Sequence, residues 1–501
     1  MTFSWGTRGA VSLLALLAAG TAQADVTAAE VWADWKDQLA AYGDENVQIG
    51  AEETSSGTVT VRDLAVVIED VEATITTTIE TITFNEQSDG TVRVTMDDSF
   101  PIVVDDQAEG VVITVDVSQQ GLEMIVGGDP DAISYAITAD SYEIALRDVV
   151  DGDITFNGDA KATLNNVDLT YTNTIGEMRD ITYAGTVDTI DFLIDFQIPG
   201  GGGEYITAGG QYGLMTMDAA MTLPLDADFE DPDNLINDGF AFSGGYTVDG
   251  AEFVMDINAD GSQLAGSGTL GVTTLSAELN NATIGYDAKT EDLAVSFQTD
   301  QFPLPIDIGL AEYGVGFRMP AGVTDEPADF GLSLDFVDLT ISDTIWNLFD
   351  AGQVLPRDPA TVQIAIAGQA RALYDIFDPE QQGALATADM PYELSTLNLD
   401  TLNISVAGAA VTGEGAFTFD NTDMQTFAPF PRPEGEATVQ VNGLNALLDN
   451  LVAMGLVPEQ DVMGPRMMMG MFARSTGDDQ METSIEVLPN GQVNVNGNRV
   501  R

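Results

Sequence analysis

The chain has 501 residues, 44% of them hydrophobic and 8% aromatic, enough apolar material to offset chain entropy and to exclude wholesale disorder. Eighty-one Asp and Glu face 16 Lys and Arg, and a surface this negative repels nucleic-acid phosphates and anionic headgroups, so neither is an expected partner. Cysteine and histidine are both absent, which excludes a disulfide, a thiolate nucleophile, a Cys/His zinc site and a Ser-His-Asp relay.

Residues 1–24 read as a secretory signal peptide. Arg8 is their only charge, an apolar run extends from Val11 to Ala19, and Ala22-Gln23-Ala24 is the small-x-small pattern of a signal peptidase site. The run is far shorter than the roughly 20 residues that cross a bilayer. Cleavage between Ala24 and Asp25 is expected to release a periplasmic protein with no integral membrane span.

A short helix follows. Thr27 and Glu30 form a capping-box pattern, Val31, Trp32, Trp35, Leu39 and Tyr42 recur at helical spacing, and Gly43 stops the run. Trp32 and Trp35 are expected to cover the end of a sheet. From Gly57 the period becomes alternating: Val92, Val94 and Met96 share a face, as do Val111, Ile113, Val115 and Val117. Ile190, Phe192, Ile194, Phe196 and Ile198 do so against Asp191, Asp195 and Gln197. Threonines such as Thr76-Thr77-Thr78 suit a pleated, solvated face. Turn signals separate the strands at Asp89-Gly90, Asp249-Gly250, Asp260-Gly261 and Asn490-Gly491. The fold expected is mainly β, a large antiparallel, curved or sandwich-like sheet with a few short helices and one apolar side. No strict repeat supports a propeller or solenoid.

Later helices are predicted at Ser342–Phe349, Leu444–Met454 and Glu459–Phe472. Met467, Met468, Met469 and Met471 of the last are expected to fill irregular core gaps. A terminal hairpin is predicted to pair Ser484–Leu488 with Gln492–Val495. Pro320, Gly322 and Pro327 interrupt the pattern between Met319 and Asp329, dividing the chain into a β region at 25–320 with its leading helix and a second at 328–501. Gly200–Gly203 reads as a loop tip; with Glu204 following and no helix, it does not fit a phosphate loop.

Carboxylates are the only plentiful catalytic groups, and no pair is marked out by its surroundings for a glycan hydrolase. The densest acidic segment, Asp226, Asp228, Glu230 and Asp233 with Asp231 and Asp238, supplies alternating oxygen ligands and is the candidate calcium site. It departs from the EF-hand pattern, with Asp231 at the glycine position and Asn237 at the closing glutamate. No other cofactor is expected. Ser262 and Ser267 lie among glycines without a histidine and read as turn residues. A transmembrane barrel is excluded by the absence of aromatic girdles and of a terminal aromatic residue.

Several segments carry a resemblance. They are Asp343-Thr344-Ile345-Trp346-Asn347-Leu348-Phe349-Asp350, Leu355-Pro356-Arg357-Asp358-Pro359, and Gly415-Ala416-Phe417-Thr418-Phe419-Asp420-Asn421-Thr422-Asp423. Asn445-Ala446-Leu447-Leu448-Asp449, Leu451 to Leu456, and the methionine-rich helix ending Phe472-Ala473-Arg474 complete the set. Together they closely resemble the uncharacterised envelope family called domain of unknown function 2125, over the mature chain and most strongly after residue 330. The resemblance implies an exported setting and supplies no catalytic residue. A weaker fold-level likeness to AsmA-like envelope proteins implies a sheet with an apolar groove that shields acyl chains. The leading expectation is a non-enzymatic envelope protein whose one-sided sheet binds or shields an apolar or lipid ligand or contributes to envelope maintenance, with other envelope proteins as further partners. The alternatives are a periplasmic interaction scaffold and a carboxylate-based glycan hydrolase.

Overall fold

The computed structural model describes residues 26–39, 43, 46–69, 73–152, 154–197, 203–225, 227, 235–259, 261–388 and 390–501. The fold is mainly β, as expected, with long strands, antiparallel ladders and a few short helices. It divides into two compact units. The first is Met1–Glu230, Phe242–Ser267 and Thr299–Pro303; the second is Asp231–Ala241, Gly268–Gln298 and Leu304–Arg501.

The first unit opens with α1 (Ala28–Leu39), whose start is the predicted capping box: Glu30 Oε2 accepts from the Thr27 amide at 2.8 Å, and Thr27 Oγ1 accepts from the Glu30 amide at 3.3 Å. Its strands are β1 (Val47–Ser55), β2 (Thr58–Glu69), β3 (Ala73–Glu86), β4 (Val92–Met96), β5 (Ser99–Asp106), β6 (Val111–Gln120), β7 (Glu123–Asp129), β8 (Ala132–Asp151), β9 (Ile154–Ile175), β10 (Arg179–Gln197), β11 (Tyr205–Tyr212), β12 (Met215–Leu223) and β13 (Ala241–Ala259). β3 pairs with β4 along one part of its length and with β5 along another, and β8 likewise takes β7 and β6.

The apolar side of β2, β3, β4, β7 and β8 is dry. Val61, Ile82, Phe84, Val92, Met124 and Tyr135 are all at 0% exposure. Over them lies α1, whose Trp32 and Trp35 are buried with ring centroids 5.6 and 5.2 Å from Phe84. A side chain of this size removes roughly 150–250 Å² from water, on the order of 4–6 kcal/mol each at about 25 cal/mol per Å².

Two local expectations fail in this unit. Asp249-Gly250 is no turn but lies inside β13. There Gly250 takes φ 82° and its carbonyl accepts from the Gly213 amide at 2.9 Å, so the left-handed glycine is the bulge by which β13 passes the β11–β12 link. Thr77 is buried rather than solvated, and its hydroxyl donates to the Pro101 carbonyl at 3.1 Å.

The second unit contains β14 (Ser262–Leu279), β15 (Thr283–Thr299), β16 (Ile306–Pro320), β17 (Ala328–Ile341), β18 (Ala360–Ala372), β19 (Tyr392–Val406), β20 (Ala409–Asp420), β21 (Arg432–Asn442), β22 (Arg474–Gly477), β23 (Gln480–Val487), β24 (Val493–Val495) and β25 (Asn498–Arg499). From β15 to β21 each strand pairs with the next, then β21 with β23 and β23 with β24. The Pro/Gly-rich stretch at 321–327 is the connection between β16 and its partner β17. The terminal hairpin forms as predicted, with Ile485 opposite Val495 and Gly491 at φ 76° in the turn.

The helices of this unit are α2 (Asp343–Phe349), α3 (Pro379–Leu385), α4 (Leu444–Ala453) and α5 (Glu459–Phe472). Ser342 precedes α2, but its hydroxyl makes no capping bond. α4 starts after Gly443 at φ 68°, where a Cβ would lie 2.3 Å from the Gly408 carbonyl oxygen, so only glycine fits. α5 departs from expectation: Met467, Met468 and Met471 are 59–64% exposed, Met469 is half-buried, and Val462 is its one buried residue. They do not fill core gaps, because α5 meets the rest of the unit along a single narrow stripe.

Truncating Trp35 to Ala is expected to destabilise the first unit by about 3–5 kcal/mol, read as a lowered urea midpoint by tryptophan fluorescence and circular dichroism. Loss of under 1 kcal/mol would show that α1 does not hold the unit's core.

Candidate functional site

In an antiparallel ladder directly opposed residues share a face, so the printed register defines both sides of the second unit's sheet. One row runs Tyr286, Phe317, Leu332, Ile366, Leu399, Gly415, Ala437, Ile485 and Val495 across nine strands. A second runs Ala288, Val315, Leu334, Ile364, Leu402, Gly413, Val439 and Thr483, and a third Thr290, Tyr313, Phe336, Val362, Ile404, Val411, Val441 and Met481. A register shift between Leu399 and Leu402 keeps both on this side, where strict alternation would have turned one away.

The opposite side is polar. Between the second and third rows lie Lys289, Gly314, Asp335, Gln363, Asn403, Thr412, Gln440 and Glu482. Neighbours there are joined side chain to side chain: Gln363 donates to Asp335 at 3.1 Å and Asn403 to Gln363 at 3.1 Å.

The apolar side is wet where that of β2, β3, β4, β7 and β8 is dry. Leu332 is 53% exposed, Phe317 40%, Tyr313 38% and Phe336 37%. None of the apolar side chains in these three rows is fully buried. The exposed aromatics stack rather than bury, Tyr313 edge-on to Phe336 at 5.0 Å and Tyr286 over Phe317 at 6.3 Å. At about 4.8 Å per strand, a nine-strand row spans roughly 38 Å, more than twice the hydrocarbon depth of one leaflet, about 15 Å. Chemically the face offers dispersion and desolvation, with no charge on its rows.

The first unit holds a buried carboxyl. Asp34 is buried under α1 and accepts hydrogen bonds from the Tyr135 hydroxyl, from Asn173 Nδ2 at 2.7 Å and from Gln38 Nε2 at 2.8 Å; Tyr171 donates to Gln38 Oε1 at 3.1 Å. Burial pushes its carboxyl above the usual range, against the pull of those donors and of Arg179. Burial also pushes the Tyr142 hydroxyl up to about 12. Sequence reading passed over Asp34, although its place three residues after Val31 and one before Trp35 sets it on the helix's buried stripe.

The candidate calcium ligands Asp226, Asp228, Glu230 and Asp233 lie outside the described residues, as do Ala24 and Asp25 of the cleavage site. Among the described residues no group of three or more Asp or Glu could hold a metal ion, and no helix is long and apolar enough to cross a membrane.

The fold and this face define an all-antiparallel β protein with an open apolar sheet surface. The family described as "Uncharacterized protein conserved in bacteria (DUF2125)" matches residues 241–497, just over half of the chain, and the chain belongs to that family. The match contains all three apolar rows and the helices α2 to α5, and leaves out α1. No curated protein matches the chain, and no solved structure does, so nothing carries the likeness to AsmA-like proteins.

The Asp34 environment sets a pH dependence. A folded-state pKa above 3.8 means the folded protein binds this proton more tightly than the unfolded chain. Stability from this group is therefore full below about pH 3.8 and is lost as pH rises through the raised value. The urea unfolding free energy of the wild type minus that of Asp34→Asn is expected to fall between pH 3 and 7; a difference that rises with pH would contradict the burial argument.

Proposed function

We propose that the protein is a non-enzymatic, exported lipid-binding protein that seats acyl chains on the apolar face of its second unit. The observation that carries this reading is the contrast between two apolar faces. In the first unit Val61, Ile82, Phe84, Val92, Met124 and Tyr135 are at 0% exposure; the second unit's face leaves Leu332, Phe317, Tyr313 and Phe336 between 37% and 53% exposed. Burying apolar surface stabilises by about 25 cal/mol per Å², and an acyl chain gains about 0.8 kcal/mol for each methylene taken out of water. A face more than one leaflet deep in hydrocarbon-like side chains is where both gains meet.

Charge narrows the ligand. With 81 acidic residues against 16 basic ones, anionic headgroups are repelled, which favours a neutral or zwitterionic lipid. The signal-peptide pattern at 1–24 supports a periplasmic setting, where insoluble acyl chains must cross water between membranes.

Protein expressed with its leader and purified from the periplasm is extracted with organic solvent, and the lipid is identified by mass spectrometry. The expected result is acyl lipid in near-stoichiometric amount. Leu332→Glu, at an exposed position where the fold tolerates it, is expected to reduce the lipid about tenfold or more. Desolvating a carboxylate against an acyl chain costs well above the roughly 1.4 kcal/mol that tenfold represents. Protein free of lipid, or lipid retained unchanged in Leu332→Glu, would overturn the reading.

A further inference from the structure

The half of α5 that faces solvent is the wrong half for a surface helix. At 100° per residue Met463, Met467 and Met471 lie within about 80° of one another, with Met468 and Phe472 filling the rest of a half-turn. These five are 51–64% exposed. The buried stripe holds Val462, beside which Arg466 reaches Asp449 at 2.6 Å and the Asn445 carbonyl at 3.3 Å. Gly464 and Gly470 have open space where a Cβ would sit.

Five of the chain's 18 methionines fall within residues 463–471. Leucine buries as much area and loses less side-chain freedom, so methionine in this number serves either an adaptable contact or a ligand. Methionine differs in its soft, polarisable thioether, and the metal that selects thioethers over oxygen and nitrogen is Cu(I). Met471 is four residues after Met467 and three after Met468. Helical neighbours three and four apart have Cβ atoms roughly 5–6 Å from each other, so Met471 adjoins both, and the three long, unbranched arms leave one side of the helix within reach of a single ion.

We infer that α5 is a Cu(I) site in which the thioethers of Met467, Met468 and Met471 coordinate the ion, with Met463 the reserve ligand one turn back. The charge setting favours a cation: no acidic residue is needed in the ligand sphere, yet the surrounding protein is strongly negative. Arg466, the basic residue nearest in sequence, is held away by its ion pair with Asp449. The absence of cysteine and histidine leaves the thioethers without a stronger soft competitor in the chain. The inference is independent of the lipid reading, which concerns the sheet.

The test is titration of the full mature protein with Cu(I), held reduced by ascorbate under nitrogen, against a chromophoric Cu(I) chelator. Wild type is expected to withdraw one equivalent, and Met467→Leu/Met468→Leu/Met471→Leu to bind at least about tenfold more weakly, a change of roughly 1.4 kcal/mol. Leucine keeps the helix and its apolar surface, and circular dichroism checks that the fold is unchanged. Equal copper uptake by the triple variant, or no withdrawal by wild type from the chelator, would overturn the site. Loss of copper in the triple variant separates coordination from docking of an apolar partner, which leucine would preserve.

Discussion

An apolar sheet face gains from being taken out of water, and the two units stand differently toward that constraint. In the first unit the cover is built into the chain: twelve residues of α1 lay Trp32 and Trp35 across Phe84 and close the core. In the second, eight or nine strands present three apolar rows, and no described side chain seals them to the same degree. Rows of Ile, Leu, Val and Phe this wide gain little from staying wet. The open face is therefore the feature on which the functional reading rests.

The charge of −65 fits the same geometry. Because strand side chains alternate, polar groups collect on the side away from the rows, where Asp335, Gln363 and Asn403 bond in line across three strands. The basic residues are mostly engaged in exposed ion pairs, such as Arg93 with Glu123 at 2.8 Å and Arg318 with Glu278 at 2.6 Å. Such pairs contribute little each. They mainly relieve local repulsion, leaving salt to screen the rest.

Asp34 is the exception, a carboxyl placed where water does not reach and held by neutral donors from α1, β8 and β9. It joins the leading helix to the strands beneath it by direction as well as by area: the bonds from Tyr135 and Asn173 to Asp34, with that from Tyr171 to Gln38, admit one orientation of α1, where indole packing alone would tolerate several.

Period-2 alternation, the Thr27–Glu30 box and the glycines after helices made the strands, α1, α4, α5 and the final hairpin legible from residue order, because each is decided within a few neighbours. Asp249-Gly250 was misread for the opposite reason. A left-handed glycine serves a turn and a bulge equally well, and only the strands opposite decide between them. Asp34 drew no notice because its three donors lie at positions 38, 135 and 173. By itself, then, the amino-acid order determined an acidic, antiparallel β protein with one apolar side to its strands. Tertiary structure alone decided which of those sides is sealed and which stands open, and that the methionines of α5 face water, since exposure depends on what other segments pack against a surface.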